Sequence, residues 1–221
     1  MIGVAATYTL ASWNDSEWVW GGASGNTPGV GTETFEVQQN TSSPFADPVG
    51  NWADRESNPG GNLTFSTGAL ALTPGDSIYA PVALRTTADS VAGDVTLQAA
   101  VPAMVPGTST AVTVDDPDGD LWKSIQVSVY TETVTNPDTS PTAACSAAEI
   151  GNWGAPLISN ATLDTVAPSH QELTAQSGST QHYCFVLTLP TTLPSGTTVT
   201  SIDGLQARTI APAWEFASVS K

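Results

Sequence analysis

A chain of 221 residues with 40% hydrophobic side chains can bury the core of one large all-β domain or two small ones. Its charge is lopsided, 21 acidic residues against 5 basic ones for a formal net charge of -16, with charged residues only 12% of the total. Such a surface repels phosphate backbones and anionic headgroups, which excludes nucleic acid as a partner, and no run approaches the roughly 18 apolar residues of a membrane span.

Residues 1–13, MIGVAATYTLASW, are largely apolar but lack the basic start of a complete signal peptide; they read as the trimmed end of one. Tyr8 and Leu10 fall two apart, so an extended arm carrying Tyr8, Leu10 and Trp13 can bury one face. The glycine-rich run GGASGNTPGVG follows. Residues 1–31 are therefore expected to form an arm and loop, a candidate donor strand, ahead of a single domain over 32–221.

In that domain the dominant period is two. Strands are expected at 32–38, 62–72, 77–85, 94–101, 110–114, 124–130, 182–190, 197–202 and 213–218, punctuated by Gly, Pro, Asn and Asp. No window carries a sustained 3.6-residue stripe. Single helical turns are expected near 52–57 and 146–151, the latter with Ser146 and Glu149 at capping-box spacing. About nine strands without crossover helices predict antiparallel pairing in a sandwich with long loops at 40–61, 135–160 and 166–181.

Few residues suggest chemistry. Asp116, Asp118 and Asp120 alternate in DDPDGD and could offer oxygens to a weakly held Ca²⁺, the one cofactor the sequence suggests; the same residues also suit a tight Asp-Gly turn. His170 and His182 stand in separate segments, with no metal-ligand motif around either. No nucleophile elbow is present. Seven tryptophans could build a sugar platform, but aromatics in a chain of this type serve chiefly for burial. Thr, Ser, Gly and Pro stand where lysine is usual, a habit of exported β-proteins. In an oxidising compartment Cys145 and Cys184 would pair, closing a loop of about 40 residues for ~4 kcal/mol; in a reducing one they would be two buried thiols. The export-like composition favours the bridge.

Three segments, in order, carry a resemblance. LASWNDS (10–16), LTPGDSIY (72–79) and GLQARTIAPAWEF (204–216) are similar to segments of the TasA/camelysin family of exported Gram-positive surface proteins, closest to its longer, cysteine-containing actinobacterial members. In LTPGDSIY, a Pro-Gly pair between apolar runs suits a tight turn with Gly75 at positive φ and Asp76 bonding locally. The resemblance implies a jelly-roll-like sandwich that is secreted and serves as a surface or biofilm-matrix fibre subunit. Its partners would be further copies of itself, joined through N-terminal strands, or other surface and matrix components. Camelysin is described as a metalloprotease, but no metal-ligand motif matches here, so no catalytic residue is carried over. A carbohydrate-binding module and a camelysin-type protease remain the alternatives.

Overall fold

The computed structural model describes residues 32–47, 50–66, 68–136 and 139–221, with backbone alone at 22–23, 27–28 and 49. Tyr8, Leu10 and Trp13 lie outside the described residues. The chain divides into two compact units, Met1–Glu33 and Thr34–Lys221. In the first, β1 (Gly22–Ala23) pairs antiparallel with β2 (Thr27–Pro28).

The second unit contains β3 (Val37–Asn40), β4 (Ser77–Thr86), β5 (Gly93–Leu97), β6 (Val101–Pro102), α1 (Asp120–Ser124), β7 (Gln126–Thr135), β8 (Ile158–Thr162), β9 (Gln171–Leu173), β10 (Ser179–Thr188), β11 (Pro212–Ala213) and β12 (Phe216–Ser220). A five-stranded sheet runs β3-β4-β10-β7-β8 and a three-stranded one β12-β5-β9, with β11 paired to β6. Every pairing between these strands is antiparallel. The chain is all-β, as expected, with one helix of five residues.

Alternation decides which side chains meet. Ile78, Val82 and Leu84 of β4, Val127 and Val129 of β7, and Tyr183, Phe185 and Leu187 of β10 form one apolar cluster with Val95 and Leu97 of β5 and Leu173 of β9. Phe216 closes it, its ring 4.8 Å from Tyr183. Each such side chain taken from water stabilises the fold by about 1.5–3 kcal/mol.

The outer face of the larger sheet is covered as well. Ala143 and Trp153 pack on Cys184 and Val186, and a disulfide joins Cys145 to Cys184 with Cα atoms 5.3 Å apart. Nearby, Phe45 meets His182 edge-on at 4.7 Å and the Arg85 guanidinium lies 4.0 Å above the Trp52 ring. His182 Nε2 is 2.6 Å from the Thr139 carbonyl oxygen. Burial pushes the His182 pKa below its usual value despite that bond, favouring the neutral imidazole.

Several expected elements differ. Residues 62–72 form no strand: Gly68 takes φ +97° in a turn, and Leu63, Phe65 and Leu72 reach the core from a loop. The 110–114 strand reduces to one bridge, Ala111 to Met104. The expected 197–202 strand gives way to a loop and a 3-10 turn at Ile202–Leu205, because the Thr198 and Val199 amides donate to the Asp120 carboxylate rather than to a neighbouring strand. No helical turn forms at 52–57; a 3-10 turn precedes it at Val49–Asn51. The second 3-10 turn is Ile150–Asn152, and Glu149 accepts from the Ala144 amide instead of closing a box with Ser146. Strands β8 and β9 stand in stretches whose composition reads as loop.

The LTPGDSIY turn has the expected form. Gly75 sits at φ +95°, and one Asp76 oxygen accepts from the Thr73 amide at 2.8 Å and the Thr73 hydroxyl at 2.7 Å. The turn also fixes register. Gly75 donates to the Leu189 carbonyl, and the Leu189 amide donates to the Asp76 carbonyl, so the β4–β10 pairing begins locked.

Candidate functional site

A groove of about 1430 Å³ opens where the two sheets part, between the β3 side of the larger sheet and the β12 side of the smaller one. Its floor includes Val82 and Leu84 of β4; loop residues Leu63 and Phe65 and sheet-edge residues Trp214 and Phe216 also line it. Fourteen consecutive residues, Leu205 to Ser218, line one side. Within β12, Phe216, Ala217 and Ser218 all contribute. Alternate residues of a strand point to opposite faces, so three in succession mean that the groove meets the edge of β12. That edge is unpaired among the described residues, since β12 bonds only to β5.

Local chemistry holds the walls in place. Asn58 donates to the Pro102 carbonyl at 3.1 Å and accepts from the Met104 amide at 2.8 Å, tying the 54–61 loop to β6 and the residues just after it. Gln39 Oε1 accepts from the Gly61 amide. At Gly93, opposite Ser220 of β12, the Phe35 ring and the Val219 carbonyl occupy the space a Cβ would need. The lining carries Glu36, Asp54, Glu56 and Glu215 but also Arg55 and Arg208, two of the chain's five basic residues. For so acidic a chain this is a comparatively neutral recess.

Of Asp116, Asp118 and Asp120, the carboxylates of Asp116 and Asp120 are occupied. Asp116 accepts from the amides of Leu121 and Trp122, capping α1, and from Arg208 Nη1 at 2.9 Å. Asp120, whose side chain is fully enclosed, accepts from the Thr198 amide and hydroxyl and the Val199 amide, with Arg208 Nη1 3.5 Å away. Asp118 makes one long contact, 3.4 Å, to the Thr198 hydroxyl. A Ca²⁺ ion here would have to displace Arg208 and four amide donors. The geometry is that of a clamp on α1 and the 197–199 loop rather than of a cation site.

The histidines serve separate surroundings. His182 is the buried residue beneath Phe45. His170 joins Asp94 and Glu172 in the one group among the described residues with metal-ligand spacing. The Lys221 ammonium already sits there, 2.9 Å from Asp94 and 2.7 Å from Glu172, which explains the cluster as ion pairing. Of the tryptophans, Trp52 and Trp153 are buried, Trp214 packs 4.9 Å from Phe185, and Trp122 donates to Asp164. None of these four makes a coplanar exposed platform with another.

No protein-family model matches the chain, and no curated protein or solved structure matches it. Among the described residues no helix is long and apolar enough to cross a membrane. The sequence reasoning missed the groove because it arises from what stands beside β12, which no local pattern announces. The nearest signal was AWEFAS, whose Trp214 and Phe216 line it.

Proposed function

We propose that the chain is a secreted structural protein, the subunit of an extracellular surface or matrix fibre, and that copies join by strand addition into the groove beside β12. One observation carries this reading: a strand edge unpaired among the described residues borders an apolar, relatively neutral groove. A free edge offers main-chain donors and acceptors, and the groove offers burial for alternate side chains, the two requirements of strand addition. The topology supports it. An eight-stranded jelly roll carries four strands in each of two sheets. Setting β3 aside, β4-β10-β7-β8 makes four, while β12-β5-β9 makes three, and among the described residues no strand stands on the far side of β12.

The occupant is the arm of a neighbouring copy. Residues 2–13 carry no acidic or basic side chain, so they can enter without bringing charge from a chain of net -16. Tyr8 and Leu10, with Trp13 beyond them, supply large apolar side chains for the floor. The resemblance to TasA-like fibre proteins points the same way. A catalytic role has less support, because the candidate metal residues are engaged by Arg208 and Lys221.

The experiment is to delete residues 1–13 and to add back a peptide of residues 5–13. The truncated protein should keep its circular dichroism and lose polymers under the electron microscope. Titration calorimetry should show it binding the peptide, and the same peptide should stop growth of full-length polymers. A truncated protein that polymerises normally would overturn the reading.

A further inference from the structure

We propose that the hairpin 101–114 is a docking surface for the body of a second copy of this chain, the other half of a two-part joint whose first half is the strand-addition groove. The proposal rests on that groove reading and adds a separate contact. Three observations lead to it.

The hairpin is apolar and exposed. Val101, Val105, Val112 and Val114 are 46%, 41%, 37% and 43% exposed, four of the seven large hydrophobics exposed among the described residues. It is also uncharged. From Val95 to Val114 there is no ionisable side chain. Two copies of a chain at net -16 repel over most of their surfaces, and they can approach closely only where charge is missing. An exposed apolar patch of this kind marks an interaction site more often than a free surface.

The third observation is direction. β12 runs from Phe216 to Ser220, away from β11, and β11 pairs with β6 at the base of the hairpin. All pairings between named strands in this unit are antiparallel. An arm pairing antiparallel with β12 therefore leaves the groove at the β11/β6 end. The chain that follows the arm emerges beside Val101 and Pro102, and the copy that owns the arm is delivered to the hairpin. One wall of the groove is already shared with it, through Val101, Met104 and Val112. The arm alone would give a flexible string of beads; arm and hairpin together fix the angle between neighbours.

Val105 and Val114 belong to the hairpin but do not line the groove, so V105E/V114E and the milder V105T/V114T test the docking surface separately. Two readouts are needed: calorimetric binding of the 5–13 peptide to arm-deleted protein, and the concentration at which full-length protein polymerises. Peptide affinity and near-UV circular dichroism should stay at wild-type values in both variants. The polymerisation threshold should rise about tenfold or more for V105E/V114E and recover in high salt, which screens the added carboxylates. For V105T/V114T it should rise less and without salt dependence. A V105E/V114E protein that polymerises at the wild-type threshold overturns the hairpin proposal and leaves the groove reading standing. Loss of peptide binding in V105E/V114E and V105T/V114T alike would show that the hairpin only supports the groove, which also overturns it. If the wild-type protein itself takes up no peptide, the groove reading fails and the hairpin proposal falls with it.

Discussion

Asp120 is completely enclosed and still favours its ionised form, because the Thr198 hydroxyl and two backbone amides, with Arg208 beside them, hold its pKa below the usual carboxylate value against the cost of burial. The sign of the consequence is fixed by linkage. A carboxyl whose folded pKa is depressed contributes stability at pH above its unfolded value, near 4, and that contribution is lost as pH falls through the folded value. Urea midpoints measured from pH 6 down to pH 2.5 should therefore fall for the wild type. D120N should start lower at pH 6 and lose less across the same range. Millimolar calcium should leave the thermal midpoint of the wild type unchanged, since the Asp116 and Asp120 oxygens that would bind it are taken. The alternating aspartates were plain in the sequence; their use was not. Thr198 lies 78 residues from Asp120, and Arg208 lies 92 from Asp116. Spacing within DDPDGD cannot reveal partners supplied by two distant loops. The turn at Gly75 and Asp76 was legible for the opposite reason: its donor and acceptor are three residues apart.

At the level of elements, β4, β7 and β10 were readable because each is ten residues long and lies within or around a period-two run. β10 shows a limit of that signal. All but its last residue are buried, since Phe45 and segment 143–153 cover the face that alternation would assign to solvent. Strands β8 and β9 are short and partly exposed, which left them inside composition that reads as loop. The disulfide fastens the outer cover to β10. Replacing both cysteines, as C145S/C184S, should lower unfolding free energy by about 4 kcal/mol in the chain-entropy model for a 39-residue separation. Cys184 is fully buried and Trp153 nearly so. The variant should therefore show red-shifted tryptophan emission and increased dye binding before global unfolding. An unchanged emission spectrum and midpoint would mean that the cover holds without its covalent tie.

For the whole molecule, the net charge of -16 opposes any contact between copies. If copies join as proposed, soluble and assembled subunits are separated by an electrostatic barrier that salt lowers. Screening acts over about 30 Å at 0.01 M ionic strength and about 8 Å at 0.15 M. Light scattering should accordingly find a much lower polymerisation threshold at 0.15 M salt than at 0.01 M. A threshold independent of salt would mean that the copies meet without crossing the field of their acidic surfaces.

The bridge between Cys145 and Cys184 has a mechanical consequence. In the proposed fibre a subunit would be pulled by its neighbours, and an unfolded chain under tension lengthens by about 3.3–3.6 Å for every residue released. The residues between the two sulfurs cannot be released, because the load passes across the bond instead of around the loop. With its ends 39 positions apart in sequence, the loop withholds roughly 130 Å of extension. Force enters β10 directly at Cys184, at the centre of the larger sheet, and the segment that covers the sheet's outer face stays slack. A stretched subunit would yield by a short, limited step and keep its covered strand tied to its cover.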